Sequence, residues 1–269
     1  MHRFDRRTCL VRRQVGRRVE AQVLAANVDA VLIVSSLNGD FNARRLERYL
    51  ATVLESGARP VFVLNKADLC DSTAPFLDAV RTIAPTAPVA LVSALEGRGL
   101  GELRAHVGAG ETAALVGSSG VGKSTIANRL LGAAALREGE IRERDDRGRH
   151  TTTHRELFVL PGEGLLVDTP GLRELELWSV GDDGPAGFDD IHALAGSCRF
   201  RDCAHAGEPG CAVEQALEEG ALDDARVEGF HKLEAEARNL RERQDARGRA
   251  EAKRAIKART RAMRQHPKA

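Results

Sequence analysis

Two short segments stand in this chain in an order that constrains its fold more than anything else in the sequence. Asn65-Lys66-Ala67-Asp68 has the N-K-x-D pattern of a base-reading loop, and Gly117-Ser118-Ser119-Gly120-Val121-Gly122-Lys123-Ser124 has the G-x-x-x-x-G-K-S pattern of a phosphate-holding loop. In the common arrangement the phosphate loop comes first. Here the base loop lies upstream, Ser93-Ala94 follows it, and Asp168-Thr169-Pro170-Gly171 follows the phosphate loop. The set is complete and cyclically shifted, which predicts a doubly wound α/β sheet whose strands are joined in permuted order.

Each segment has a chemical reason for its residues. The glycines of Gly117 to Gly122 let backbone N–H groups turn toward phosphates at a helix N-terminus, with Ser118, Ser119, Gly120 and Val121 forming the arch. Lys123 adds a point charge on the β and γ oxygens, Ser124 ligates Mg²⁺, and Thr125 follows at the helix start. Ala113 to Val116 reads as the preceding strand, and Thr125 to Gly132 has helical spacing with a terminal glycine. Alone, this segment specifies only a nucleoside triphosphate. Asp68 supplies the base choice, because a carboxylate accepts from two neighbouring N–H donors on guanine, whereas adenine offers an acceptor at one of those positions. Asn65 is expected to bond the base and brace the phosphate loop, Lys66 to lie along the ring, and the Ala94 N–H, beside Ser93, to meet the guanine carbonyl. The apolar runs Pro60 to Leu64 and Pro88 to Val92 end at these loops, as buried parallel strands do when ligands bind at their carboxyl ends. The reading is a circularly permuted phosphate-loop GTPase.

Asp168 ends the apolar run Gly164 to Val167, which places its carboxylate near the Mg²⁺ shell and the Gly171 N–H near the γ-phosphate. The first switch is assigned to Arg149 to Thr153, with the Thr152 hydroxyl and carbonyl closing over Mg²⁺. Leu172 stands where Ras-like enzymes carry the glutamine that orients the attacking water, and it has no polar group for that task. His150 is the nearest candidate to position water; its alternative is a solvated loop histidine.

Downstream, Cys198, Cys203, His205 and Cys211 supply three thiolates and one imidazole within a short span, a closed tetrahedral set for one structural Zn²⁺. With five cysteines in all, the odd count argues against a disulfide framework. The tail from His231 to Ala269 carries thirteen Lys and Arg against five Asp and Glu, although the whole chain has a net charge of only +1. A helix from Phe230 to about Met263, interrupted near Gly248, would present this charge to an RNA backbone without base specificity. No apolar run of about 18 residues occurs, and the basic start lacks an apolar signal region, so neither a membrane span nor export is expected. The expected location is the cytoplasm.

Taken together, N-K-A-D, S-A, G-S-S-G-V-G-K-S, R-H-T-T-T, D-T-P-G and the Cys/His cluster, in that order, resemble the small ribosomal subunit biogenesis GTPases of the RsgA family. The resemblance spans nearly the whole chain and includes Leu24 to Asp29 and Ser36 to Phe41. It implies an N-terminal OB-fold, a permuted GTPase core and a C-terminal zinc domain. It also implies GTP as substrate and GDP as product, Mg²⁺, and late maturation of the 30S particle through contact with 16S rRNA by a monomeric protein. The departure is at the start, where residues 1–23 stand in place of a whole OB barrel. Residues 24–180 are assigned to the GTPase domain and 181–269 to a helical zinc domain with the basic helix. Two other readings are a GTP-gated RNA-binding module with incidental turnover and a permuted GTPase acting on the large subunit.

Overall fold

The structure, a computed structural model, describes residues 8–14, 20–132, 156–168 and 184–265. Its centre is a six-stranded sheet in which β3 (Ala30–Ser36) is flanked by β4 (Arg59–Asn65) and β6 (Thr112–Val116). Beyond β4 lies β5 (Val89–Leu91), and beyond β6 lie β8 (Leu165–Asp168) and then β7 (Glu156–Val159). All neighbouring pairs from β5 to β8 are parallel, and only β7 runs antiparallel, at the edge. All seven residues of β3 are buried, and the first five, Ala30 to Val34, form an unbroken apolar run rather than an alternating one, before Ser35 and Ser36 at its carboxyl end.

The two sheet faces are covered separately. Val31, Ile33, Phe62 and Leu64 face a layer made by α1 (Ala43–Glu55) and α2 (Ala74–Ile83), with Leu46, Leu50, Val53, Val80 and Ile83 packed on them. Leu32, Val34, Val61 and Val63 point the other way, onto Leu103 of α3 (Leu100–Ala105) and Ile126, Leu130 and Leu131 of α4 (Lys123–Leu131). The period of two along each strand therefore sorts one continuous apolar sequence into two cores. Helix α1 begins at Asn42, whose side chain accepts from the Arg45 N–H at 3.0 Å.

The chain winds from β3 out to β5 and then returns to the far side of β3 as β6. That reversal opens the crevice at the carboxyl ends of β3 and β6 where ligands of doubly wound sheets bind. Ahead of the sheet, β1 (Cys9–Gln14) and β2 (Glu20–Ala26) form an antiparallel pair.

The C-terminal segment is helical: α5 (Asp189–Ala195), α6 (Ala212–Glu218) and the long α7 (Asp224–Gln265). Helix α7 runs without interruption through Gly248, contrary to the break expected there. One glycine costs about 1 kcal/mol relative to alanine, and the surrounding Ala, Arg, Glu and Lys are strong enough helix formers to absorb it. Phe188, Ile191, Val213, Val227, Phe230 and Leu233 make a third core, which also takes in Ala51 of α1. Arg226 is the polar anchor of this junction. It donates to Glu47 of α1 at 2.9 Å, to Asp190 at 3.0 and 3.1 Å and to the Gly187 carbonyl at 2.7 Å, and its guanidinium lies 4.2 Å from the Phe188 ring centroid.

Candidate functional site

The three parallel strands β4, β5 and β6 each end in one of the predicted loops, so the sheet itself gathers segments that are far apart in sequence. Asn65, the last residue of β4 and only 3% exposed, joins them with one side chain. Its amide nitrogen donates to the Val121 carbonyl of the phosphate loop at 2.8 Å, and its amide oxygen accepts from the Ala94 N–H at 3.0 Å. Asn65 thus ties the end of β4 to the phosphate loop and to the Ser93-Ala94 loop. The Ala94 N–H expected to face a base carbonyl is engaged by Asn65.

Next to it, the Ser93 hydroxyl donates to Asp68 at 2.6 Å. That hydrogen bond, more than any other influence, holds the Asp68 carboxyl below the usual carboxylate range. Asp68 is therefore an ionised acceptor, as pairing with two N–H donors requires. Lys66 has a left-handed backbone, φ 65°, which turns the chain sharply at the end of β4.

In the phosphate loop, two glycines are required by space as well as by conformation. A Cβ on Gly122, φ 96°, would stand 2.3 Å from the Asn65 amide nitrogen, and one on Gly117, φ 147°, would stand 2.3 Å from the Val34 carbonyl oxygen. The loop is thereby pressed against β3 on one side and Asn65 on the other. Lys123 opens α4 and arches back, its ammonium donating to the carbonyls of Gly117 at 2.8 Å and Ser118 at 2.5 Å. Ser119, Gly120 and Thr125 are exposed and Ser124 is half-buried, so this rim is open to a ligand. A polyphosphate fits the lysine ammonium and the N-terminus of α4, and a purine fits the Asp68 edge.

Sequence reasoning missed two arginines here. Arg129, in the last turn of α4, donates to the carbonyls of Ala94 at 3.0 Å and Leu95 at 2.6 Å, binding the phosphate-loop helix to the base loop. Arg45 of α1 donates to the Ser118 hydroxyl. Neither contact has a local signature, because each joins residues distant in sequence.

The Cys/His cluster is assembled as well. The ligand atoms of Cys198, Cys203, His205 and Cys211 all lie within 4.8 Å of one another. His205 Nδ1 is 3.6 Å from Cys198 Sγ and 3.4 Å from Cys211 Sγ, and those two sulfurs are 3.9 Å apart. A tetrahedral zinc with ordinary Zn–S and Zn–N bonds sets these edges at roughly 3.6 and 3.8 Å. The donor set and spacing fit Zn²⁺. Glu208 stabilises the intervening loop by accepting from the N–H groups of Ala206 at 2.8 Å and Ala204 at 3.0 Å. These backbone hydrogen bonds, that of Ala206 foremost, bring its carboxyl down to about 2.

Asp168 is the last residue of β8, whose Leu165 to Val167 pair with β6. His150, Thr152, Gly171 and Leu172 lie outside the described residues.

Comparison with known proteins agrees with this geometry. The sequence model of the family described as RsgA GTPase matches residues 3–178. A protein of Opitutus terrae named small ribosomal subunit biogenesis GTPase RsgA is 50% identical over 87% of this chain and 64% of its own length. A protein of the same name from Streptomyces coelicolor is 48% identical over 95% of this chain and 70% of its own. A third relative of that name, from Methanosarcina acetivorans, is covered over 62% of its length, so the chain spans less than two thirds of several relatives it matches. Among solved structures, YjeQ from Thermotoga maritima superposes with a TM-score of 0.63 at 26% identity, over 87% of this chain and 76% of that one. YloQ, described as a circularly permuted GTPase, gives 0.61 at 25% identity, over 85% of this chain and 79% of that one.

Proposed function

The chain belongs to the RsgA GTPase family, and from that premise we propose that it binds GTP and hydrolyses it to GDP on the small ribosomal subunit during late maturation. The observation that carries the reading is the Asn65 side chain, which holds the base loop and the phosphate loop in one hydrogen-bonded unit despite their reversed order. In this reading Asp68 and Ser93 select guanine, with Lys66 along the ring and Ala94 beside it. The loop from Gly117 to Ser124 cradles the phosphates, and Lys123 neutralises the oxygens that gain charge in the transition state.

Bound Mg²⁺ would supply charge stabilisation at the β and γ oxygens, held by Ser124 and Thr152 with Asp168 nearby. Thr125 and Gly171 complete the nucleotide contacts. His150 positions water in place of the glutamine that Leu172 replaces. Cys198, Cys203, His205 and Cys211 hold a structural zinc that orders the C-terminal segment. The same proposal includes contact of the basic helix with 16S rRNA, a monomeric state, a cytoplasmic location and the domain division at residues 23 and 180. It also treats the β1–β2 pair as part of an OB-like element. No described helix is long and apolar enough to cross a membrane.

Single-turnover GTP hydrolysis with and without 30S particles tests the reading. Slow intrinsic turnover and strong stimulation are expected, with His150→Ala losing more than about tenfold of the stimulated rate, roughly 1.4 kcal/mol, at little cost in GTP affinity. Hydrolysis indifferent to 30S would favour a GTP-gated RNA-binding module, and stimulation by 50S particles alone would move the partner to the large subunit.

A further inference from the structure

The loop between the first two metal-ligand cysteines, Cys198-Arg199-Phe200-Arg201-Asp202-Cys203, displays an aromatic ring to solvent. Phe200 is 43% exposed, and it is the only exposed aromatic side chain among the described residues; the other exposed large apolar side chains are aliphatic. Burial normally claims phenylalanine, and Phe188 and Phe230 of the same segment lie in its core at 1% and 5% exposure. Phe200 is therefore held outside a core that had room for two others.

The loop that holds it is fixed. Cys198 and Cys203 anchor its ends in the ligand cluster, and the Arg199 N–H donates to the Gly210 carbonyl at 3.1 Å. The Arg199 side chain packs over Gly210, and its guanidinium carbon sits 5.4 Å from the Phe200 ring centroid. Arg199 and Arg201 are both exposed, and neither forms an ion pair with a described residue. A loop that offers an exposed aromatic ring, with the Arg199 guanidinium over the ring and Arg201 next in the chain, matches what an unpaired nucleotide needs: a surface for the base to stack on and cations for the adjoining phosphates. Asp202 and the nearby Glu208 offset that positive charge, so stacking carries more of the contact than counterion release does.

We propose that Phe200 is a base-stacking contact for single-stranded RNA, with Arg199 and Arg201 on the flanking phosphates. This rests on the reading that the chain docks on RNA, and on no part of the nucleotide site. A base's π-face is the same whatever its hydrogen-bonding edge, so the contact should tolerate sequence and reject duplex, whose bases are already stacked.

The test uses the full, zinc-loaded chain and fluorescence anisotropy with a labelled single strand of about twelve nucleotides and a hairpin duplex of equal length. Phe200→Ala should weaken single-strand binding about tenfold or more, Phe200→Leu should do the same while keeping an apolar side chain, and Phe200→Trp should restore it. Duplex binding, zinc content and GTP binding should be unchanged. The slope of affinity against salt should stay the same in Phe200→Ala and fall in Arg201→Gln, because only the latter removes a phosphate contact. Parental single-strand affinity in both Phe200→Ala and Phe200→Leu would overturn the proposal. So would loss of binding to 30S particles with RNA affinity intact, which would assign Phe200 to a ribosomal protein. A parent that binds no RNA while hydrolysing GTP would sink the docking reading along with it and leave the nucleotide site standing.

Discussion

Asp68 shows how far a single residue's chemistry can be read before any fold is known. Its carboxylate is assigned to guanine because two adjacent N–H donors need an ionised acceptor, and the Ser93 hydroxyl, donating at 2.6 Å, holds it further below the usual carboxylate range. Asp68→Asn should therefore weaken GTP binding and improve xanthosine triphosphate binding, since the amide donates where the carboxylate accepted and xanthine presents a carbonyl in place of guanine's amino group. Calorimetry with both nucleotides checks this, and equal ATP and GTP affinity in the parent would refute the assignment. Residues of this kind were legible because their partners are ligand atoms whose chemistry is fixed in advance. Arg129 and Arg45 were not, because their partners are a backbone carbonyl and a hydroxyl that only the tertiary fold brings near. A surface arginine on a helix carries no mark that distinguishes a solvated side chain from a brace.

Helix α1 illustrates what an element adds. It runs from Ala43 to Glu55, with Gly57 beyond, and it is packed on two sides. One side lies on the sheet through Leu46, Leu50 and Val53, while Ala51 enters the C-terminal core and Glu47 meets Arg226. The helix pattern shows one apolar stripe, and a second interface built on one alanine and one ion pair falls below what periodicity can register. At the helix end this double packing traps a carboxyl. Burial, opposed by the charge of Arg241, pushes Glu55 up to about 7, and its Oε1 has no hydrogen-bond partner among the described residues. A folded-state pKa above the ordinary 4.5 means that the stability Glu55 contributes is full below about 4.5 and is lost as pH rises through about 7. Glu55→Gln, neutral at every pH, should melt above the parent at pH 8 and level with it at pH 4, so the difference between the two melting curves should open across that window. A pH-independent difference would mean that Glu55 ionises in the fold as freely as in solvent. The uninterrupted α7 shows the converse error, in which a local rule about Gly248 yielded to the cumulative propensity of a long helix.

The whole molecule joins two cores of different origin: a sheet sandwiched between helices, and a short helical segment gathered around a Cys/His cluster. The second core holds few large side chains, chiefly Phe188, Ile191, Phe230 and Leu233, and the cluster lies against it, with Cys211 counted among its buried members. Such a segment depends on its metal in a way the sheet does not, because binding energy at four protein ligands becomes folding energy. The phosphate loop, in contrast, leans on Val34 and Asn65 and, through Ser118, on Arg45 of α1, the helix whose Ala51 also enters the C-terminal core. Purified protein should contain about one zinc per chain. Cys203→Ser, or removal of the metal by a chelator, should release that zinc and split thermal unfolding into two transitions, the earlier one belonging to α5 through α7. Arg226 would then leave Glu47, and α1 would remain fixed by its sheet face alone, which is enough to keep the phosphate loop in place. GDP affinity should accordingly change by less than about threefold, as expected for sites linked through α1 rather than by direct contact. A metal-free chain that melts in one transition at the parental temperature would remove zinc from the fold. A collapse of GDP affinity together with the metal would make the C-terminal helices part of the nucleotide site itself, with α1 as the element through which they act on it.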